Sequence, residues 1–403
     1  MKPGKRNTAR FNLYFVTYQR SSKEKTMTDI FVSADNILSP IGLTTAENFL
    51  QLKQNISGIK LHYDSSISDQ PFQAGLFAAD VFSENNQQKK YTKFENLLIA
   101  SVSDALSKST VDPADKKTAF IISSTKGNIS LLETEETSDS LNKRISLNTS
   151  AKLVADHFQF ANQPIIISNA CISGILAILT GMRLIQSGQY QHAVVAGADV
   201  ISKFVLSGFQ SFQAVSQLPC KPFDAARDGI NLGEGAGTVI LTSNEAYSCG
   251  IKVSGGSVSN DANHISGPSR TGEELSFAIN KAIYASGISA KEIGFISAHG
   301  TATLFNDEME AKAISLSGLQ HIPVNSLKGY YGHTLGAAGL IESIISMQSL
   351  KENLVMPTRG FENSGVSPTI NVCSSLYKST TDHFLKTASG FGGCNAAMIF
   401  SKQ

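Results

Sequence analysis

The chain has 403 residues, 41% of them hydrophobic, so it is long enough for two ordinary domains or one large fused one with a substantial core. Its 34 Lys and Arg side chains balance 33 Asp and Glu side chains, which excludes a global attraction to nucleic acid or to an anionic membrane. No apolar run approaches the roughly 20 residues that span a bilayer, and five scattered cysteines match neither a disulfide framework nor a zinc motif. We therefore expect a cytoplasmic protein that binds no nucleic acid, crosses no membrane and holds no metal.

The N-terminal segment differs in composition from the rest of the chain. Residues 1–23 carry six Lys or Arg and no acid, and their apolar piece, FNLYFV, is too short for a signal-peptide core. Met27 stands directly before the strand-like DIFVSA. We predict that residues 1–27 are a basic, disordered extension without a chemical role, with an organellar presequence as the alternative.

From Thr28 onward, apolar runs of strand length alternate with segments of helix length. This alternation predicts an α/β architecture with buried, mostly parallel strands. The strand-like runs, in chain order, are AFIIS at 119–123, PIIIS at 164–168, HAVVAGAD at 192–199, AGTVILTS at 236–243, GFISAHG at 294–300, IPVNSL at 322–327 and AAMIF at 396–400.

Two pairs of these units are alike. AFIISSTKGN resembles GFISAHGTAT, and QPIIISNACISGILAIL resembles HIPVNSLKGYYGHTLGAAGLIESI. We therefore predict two related halves, 28–250 and 251–403, with the crossover between them at about 243–256. If the halves pack about a pseudo-two-fold axis, their strand-to-helix junctions converge on one cleft, because ligands of α/β sheets sit at strand C-terminal ends.

Cys171 lies at one such junction, in IIISNACISGILAIL. Ile165 to Ile167 predict a short strand, and the residues from Ile172 to Ile185 have the spacing of a buried helix. Cys171 is then at the first helical turn, where free N–H groups and the helix dipole favour a thiolate. The alternative is an inert core cysteine.

His299, in SAHGTAT, and His333, in YGHTLGAAG, occupy equivalent junctions of the second half. Each alone is more simply a structural histidine, but both together with a cysteine at a third junction are hard to explain by packing. The C-terminal SGFGGCNAAMIF adds a glycine-rich turn that can aim a backbone N–H beside that of Cys171 as an oxyanion hole. A plain hairpin turn is the alternative.

The ordered set NACISG, KPFDAARDGINLGEGAG, AHGTATLFNDEMEA, SLKGYYGHTLGAAGLIES and SGFGGCNAAMIF resembles the β-ketoacyl-acyl carrier protein synthases. The likeness runs from about residue 29 to the C-terminus. It is greatest to the branch with a Cys-His-His centre, which includes the elongating synthases I and II and the polyketide ketosynthases. The resemblance implies a thiolase-like fold, in which two pseudo-symmetric βαβαβαββ halves form a layered α-β-α-β-α core.

The resemblance also implies a role for each matching residue. Cys171 matches the nucleophile that takes an acyl chain from the carrier, and His299 and His333 match the neutral imidazoles that assist malonyl decarboxylation. Lys328 and Glu342 match the charged pair that orders this centre. Phe391 is similar to the gating phenylalanine whose N–H completes the oxyanion hole. The positions implied to bind substrate are Thr301, Thr303, Gly392 and Gly393, and the position implied to dock the acidic carrier is Lys221.

Some positions depart from the family's pattern. Tyr330 and Tyr331 stand between the lysine and the histidine where the family has smaller residues, Asn169 replaces a small residue or threonine, and Cys394 replaces a threonine. We predict that the two tyrosines form a wall of the cleft, bind substrate and help to select the acyl chain. Core packing is the alternative.

The implied activity is the decarboxylative condensation of malonyl carrier with an enzyme-bound acyl chain, as in fatty-acid, polyene or polyketide elongation. No cofactor is implied, and the partners are an acyl carrier protein and a second subunit in a homodimer or heterodimer. Two alternatives stay open. One is a thiolase-like acyltransferase on coenzyme A with Cys394 as base, and the other is a partner subunit of a heterodimeric ketosynthase. A cysteine hydrolase fits the motifs less well.

Overall fold

A sheet of ten strands runs through the structure, a computed structural model that describes residues 28–78, 81, 91–262 and 267–403. The predicted extension at 1–27 lies outside these residues. The strands are β1 Phe31–Leu38, β2 Lys60–His62, β3 Phe72–Gly75, β4 Thr118–Ser123, β5 Ile165–Ile167, β6 His192–Asp199, β7 Leu232–Gly233, β8 Gly235–Thr242, β9 Ile251–Asn260, β10 Ile293–Ser297, β11 Val324–Asn325, β12 Leu354–Val355, β13 Tyr377–Lys378, β14 His383–Gly390 and β15 Cys394–Lys402.

Helices separate most of the strands along the chain. They are α1 Thr45–Lys53, α2 Lys93–Ser107, α3 Leu131–Thr134, α4 Asp139–Arg144, α5 Leu147–His157, α6 Ser173–Gln186, α7 Lys203–Ser211, α8 Glu273–Ser286, α9 Leu304–Leu316, α10 Lys328–Tyr331 and α11 Ala338–Glu352. Local sequence fixes several starts. Thr44 and Glu47 form a capping box at α1, and Thr92 and Glu95 form another at α2.

The order of the ten strands is β11-β10-β14-β15-β9-β1-β8-β6-β4-β5. Read outward from the β9-β1 junction, each half has two antiparallel pairings followed by two parallel ones. The two halves of the sheet therefore repeat one topology, in which β4 corresponds to β10 and β5 to β11.

The helices complete a layered α-β-α-β-α arrangement. Helix α6 contacts β6 in the first half and β15 in the second, and α11 contacts β8 and β14, so both lie between the halves. Helix α2 packs on β1, β6 and β8, and α8 packs on β9 and β15, as the outer layers. Residues of α11 from Ala338 to Met347 are all buried, because this helix has protein on every side. The predicted α/β class and thiolase-like architecture are confirmed.

Two details of the sequence prediction are wrong. Of the nine pairings in the main sheet, five are antiparallel and four parallel, so the strands are not mostly parallel. Helices cover both faces, and a strand buried on both faces is apolar throughout whichever way its neighbour runs. The predicted crossover at 243–256 overlaps β9, whose buried and half-buried residues alternate along IKVSGGSVSN. Among the described residues, no helix is both long and apolar enough to cross a membrane.

Candidate active site

A cavity of about 480 Å³ opens where strand ends of both halves meet. Its described lining includes seven residues singled out from the sequence motifs. They are Cys171, His299, Thr301, Thr303, His333, Phe391 and Gly393. Residues from both halves therefore face a single space.

Cys171 sits in a tight turn directly before α6. Ala170 has a left-handed φ of 44°, a backbone conformation that is rare for residues other than glycine and indicates strain. The Ser173 hydroxyl holds this turn, since its Oγ donates to the Ala170 carbonyl at 2.6 Å and accepts from the Asn169 N–H at 2.8 Å. The turn presents Cys171, which is 8% exposed, to the cavity.

Two imidazoles surround the thiol. His333 Nε2 lies 2.9 Å from Cys171 Sγ, and the ring centroids of His299 and His333 are 5.3 Å apart at 83°. The Cys171 sulfur and one ring nitrogen of each histidine all lie within 4.8 Å of one another. A proton can pass from the thiol to His333, while both rings face the place where a thioester carbonyl would react.

Buried carboxylates fix the loop that carries His299. Glu310 accepts the backbone N–H groups of His299 and Gly300, each at 2.8 Å. Asp307 accepts those of Thr301 at 2.8 Å and Ala302 at 3.1 Å. Gly300 has a φ of 44°, and a Cβ there would lie 2.6 Å from that of Ser326, so only glycine fits.

A second buried lysine joins the predicted pair of Lys328 and Glu342. Lys328 Nζ donates to one Glu342 oxygen and to the His299 carbonyl at 3.0 Å, and Lys386 Nζ lies 2.7 Å from the other Glu342 oxygen. Lys386 also donates to the Ser297 carbonyl at 3.1 Å. Both lysine side chains are fully buried. Sequence reasoning missed Lys386, whose only signal is a lysine inside an apolar strand.

The environment favours uncharged reacting groups. Burial, reinforced by the positive charge of Lys328, lowers the pKa of both His299 and His333 well below the ordinary value, so both imidazoles are neutral at pH 7. Burial raises the pKa of Cys171 to about 12, with nearby Cys394 as a smaller cause. The predicted thiolate is therefore wrong for the resting state, because desolvation outweighs the helix terminus.

Alkylation of Cys171 tests this protonation state. Because thiolate is the reactive form, a thiol with a pKa near 12 should react with iodoacetamide about tenfold faster per pH unit between about pH 7 and 9. Mass spectrometry of the labelled peptide distinguishes Cys171 from Cys394, whose pKa burial raises to about 11. A rate that does not change over this range would indicate a thiolate–imidazolium pair instead.

Glu342 is expected to stabilise the protein as well as the site. Glu342→Gln leaves two buried ammonium groups without their counter-charge, and breaking such a buried pair typically costs about 3–5 kcal/mol. Urea unfolding measures the loss. The exposed pair between Lys53 and Glu352, 2.9 Å apart, provides the control, since Glu352→Gln should cost at most about 1 kcal/mol. Equal losses in the two variants would contradict this role of Glu342.

The glycine-rich loop closes one side of the cavity. A Cβ at Gly390 would lie 2.9 Å from the backbone nitrogen of Cys171, so the loop approaches the nucleophile at close range. The Phe391 ring, 38% exposed, packs at 5.7 Å from Phe209 and 5.2 Å from Phe212, measured between centroids. The Phe209 ring in turn packs perpendicular to the His333 ring, with their centroids 6.4 Å apart. These contacts place Phe391 between the catalytic centre and solvent.

Three positions predicted to bind substrate are absent from the lining of the cavity. Tyr330 and Tyr331 are 0% and 2% exposed in the main core and do not line the cavity, so the prediction that they form its wall is wrong. The Tyr330 hydroxyl donates to Asn55 at 3.1 Å. Gly392 is exposed and is not among the lining residues either. The aromatic pair belongs to a core cluster that includes residues of α1 and α11, which local sequence could not reveal.

Cys394 is buried just below the nucleophile's turn. Its Sγ lies 3.5 Å from the Phe391 carbonyl and 3.8 Å from that of Asn169, and neither is a base. His333 contacts Cys171 and not Cys394. This arrangement favours Cys171 as the nucleophile and gives Cys394 no partner that would activate it among the contacts described.

This fold with its Cys-His-His centre defines a condensing acyltransferase of the thiolase-like type. Comparison with family models agrees, since residues 46–246 match the N-terminal domain of β-ketoacyl synthase and residues 251–362 match its C-terminal domain. The chain belongs to the β-ketoacyl synthase family.

Curated relatives and solved structures extend this likeness over nearly the whole chain. The 3-oxoacyl-(acyl-carrier-protein) synthase 2 of Vibrio cholerae is 29% identical over 93% of this chain and 99% of its own. A ketosynthase (ApeO) in complex with its chain length factor (ApeC) from Xenorhabdus doucetiae has a TM-score of 0.78 and 26% identity, covering 94% of this chain and 100% of that one. A β-ketoacyl synthase from Burkholderia phymatum STM815, with a TM-score of 0.84 and 21% identity over 94% and 100%, shares the fold.

Proposed function

We propose that this protein is a β-ketoacyl-acyl carrier protein synthase that elongates a Cys171-bound acyl chain with malonyl carrier, in fatty-acid or polyketide biosynthesis. The contact of 2.9 Å between Cys171 Sγ and His333 Nε2, in a cavity that also holds His299, carries the proposal. The intact nucleophile and histidines argue against a non-catalytic partner subunit.

The first half-reaction transfers the acyl chain. Cys171 gives its proton to neutral His333 as sulfur attacks the thioester carbonyl, and the carrier thiol takes that proton as it leaves. The developing oxyanion accepts hydrogen bonds from the backbone N–H groups of Cys171 and Phe391. The close approach of Gly390 to the Cys171 nitrogen supports this role for the loop.

The second half-reaction forms the carbon–carbon bond. His299 and His333, the latter now in its Nε2–H tautomer, donate hydrogen bonds to the malonyl thioester oxygen while the carboxylate leaves as carbon dioxide, and its electron pair forms an enolate. The enolate attacks the Cys171 thioester, and the cysteine sulfur leaves and regains a proton from solvent. Two imidazoles with lowered pKa values suit this task, because they donate hydrogen bonds without carrying charge. Thr301 and Thr303 line the side on which the malonyl arm lies.

The buried charges position this chemistry. Glu342 neutralises one of two lysines, and Lys328 holds the His299 carbonyl. Burial and, to a smaller extent, the positive charge of the lysines lower the pKa of both histidines, so the two rings are neutral in the resting enzyme. The same charge opposes a cation in the centre, so we propose that the enzyme uses no metal or other cofactor and that the phosphopantetheine belongs to its substrate.

The proposed partners are an acyl carrier protein and a second ketosynthase-type subunit, either identical or related. Strand β5 lies at one end of the sheet with three half-buried isoleucines, and such an edge favours pairing with another chain. Lys221 stays a candidate for carrier docking, although its Nζ lies 3.8 Å from Glu362.

We also propose that the boundary between the two halves lies near Gly250, which the two segments matched by the family models support. A cytoplasmic location is proposed as well, and it is supported by the free thiols of all five cysteines.

A two-stage assay tests the proposal. The protein is incubated with acyl carrier thioesters of different chains, and intact mass reveals which acyl group it gains; malonyl carrier is then added. We expect loss of the enzyme-bound acyl mass and a β-ketoacyl carrier product. Acylation by coenzyme A thioesters alone would favour the thiolase-like alternative.

A further inference from the structure

Three large apolar side chains surround the mouth of the cavity. Phe212 is 53% exposed, Leu304 57% and Phe305 78%, and all three line the cavity. We refer to these three residues as the apolar rim. A single exposed Leu or Phe is common on a protein surface, but a group of them around a cavity is typical of a binding surface.

We propose that the apolar rim is the surface on which the acyl carrier docks, and that apolar contacts contribute more to carrier affinity than ion pairs do. This inference rests on the proposed function. The carrier's prosthetic arm must pass through this mouth to reach Cys171, so the protein that bears the arm must cover the rim while the arm is inside. A second copy of this chain in the same place would close the cavity to substrate.

The backbone of Leu304 and Phe305 is held in place before any partner binds. Leu304 and Phe305 open α9, and the Leu304 carbonyl accepts from Arg227 Nη2 at 3.3 Å. Arg227 is itself held by the Gly365 carbonyl at 2.6 Å. Because the loop before α9 is also fixed by Asp307, docking orders little additional backbone, and this preserves affinity.

The described residues that line the cavity offer an acidic carrier no cation. Among the described residues that line the cavity there is no Lys or Arg, and the charged ones, Asp228 and Asp261, are acids. The candidate docking cation, Lys221, is partly offset by Glu362. Apolar contact is therefore the attraction that this surface offers where the carrier must sit.

The rim also adjoins the residue that screens the active centre. The Phe212 ring lies 5.2 Å from that of Phe391, between centroids, in an edge-on arrangement that stabilises an aromatic pair. A carrier that contacts Phe212 therefore touches the packing that holds Phe391 in place.

The test compares carrier-bound with free pantetheine thioesters in the full chain. In the double variant Leu304→Ser with Phe305→Ser, we expect KM for acyl carrier in the acylation of Cys171 to rise at least about tenfold. KM for the same acyl group on pantetheine, which reaches the rim only with its arm, should rise by a smaller factor than KM for carrier. Phe277→Ser is the matched control, since Phe277 is 54% exposed on α8 and does not line the cavity.

Each outcome decides between explanations. An unchanged KM for carrier, an equal rise in Phe277→Ser, or a larger rise in Lys221→Glu than in the rim variant would overturn the proposal. So would a change in subunit number by light scattering with KM unaltered, because the rim would then be a subunit interface. Absence of acylation from both substrates in the parent would instead contradict the proposed function.

Discussion

Cys171→Ala should abolish acylation of the protein by acyl carrier thioesters. The side chain at 171 is the one thiol in contact with an imidazole, His333 Nε2 at 2.9 Å, among the contacts described. Its sulfur also faces the cavity, whereas Cys394 Sγ lies against carbonyl groups. Intact mass after incubation with acyl carrier should show the acyl group on the parent and none on the variant.

Cys394→Ala is the matched control for this loss. We expect it to retain acylation, because its sulfur has no described contact with His299 or His333. Acyl mass that persisted in Cys171→Ala, or disappeared only in Cys394→Ala, would show that the nucleophile is assigned to the wrong thiol. The thiolase-like alternative would then gain support.

Loss of either histidine should separate acylation from condensation. His299→Ala removes a donor to the malonyl thioester oxygen but leaves the 2.9 Å contact between Cys171 and His333, so acyl loading should continue. Condensation should fall by about 10²–10³, the usual cost of one oxyanion donor. The rate of β-ketoacyl carrier formation from pre-acylated enzyme measures this step alone.

His333→Ala should lose condensation to a similar extent and should also slow acyl loading, since His333 accepts the thiol proton. A comparison of pre-steady-state loading rates in the two variants distinguishes the roles. Condensation at the parent rate in either variant would contradict the assignment. Cys171→Gln provides a further check, because decarboxylation of malonyl carrier needs the histidines and not sulfur, and should persist.

The grouping of Cys171, His299 and His333 could be predicted from sequence because each follows a strand end of the sheet. Cys171, His299 and His333 follow β5, β10 and β11 and their short junctions, and parallel strands of two related halves deliver such ends to one region. The motifs that surround them also carry the family's pattern. The local sequence is sufficient to predict these three positions, because each residue's place in the fold depends chiefly on the strand that precedes it.

The residues that sequence reasoning missed depend on distant partners. Lys386 has the appearance of a surface lysine in FLKTASG, and only the fold places Glu342 beside it. The sequence of strand β9 resembles a connecting loop because Gly255 and Gly256 interrupt its alternation of apolar and polar residues. In the structure, the absence of a side chain at these two glycines lets α8 and Met398 approach the strand closely. The tyrosine pair adjoins Lys328 in sequence, which favours a place in the cleft, yet its rings turn into the core.

The protonation state of Cys171 illustrates the same limit. A helix start predicts a lowered thiol pKa, and Cys171 does stand just before α6. Desolvation by both halves of the protein is larger and raises the pKa to about 12. The sequence contains the first effect in one segment, whereas the second arises only when the segments pack.

Condensation itself is tested most directly by one product measurement. Enzyme acylated on Cys171 is mixed with ¹³C-labelled malonyl carrier, and the carrier fraction is analysed by intact mass together with released carbon dioxide. We expect a β-ketoacyl carrier that contains the original acyl chain plus two labelled carbons, with one carbon dioxide per product. An acyl chain that returned unchanged to carrier or to coenzyme A, without decarboxylation, would contradict the proposed condensation.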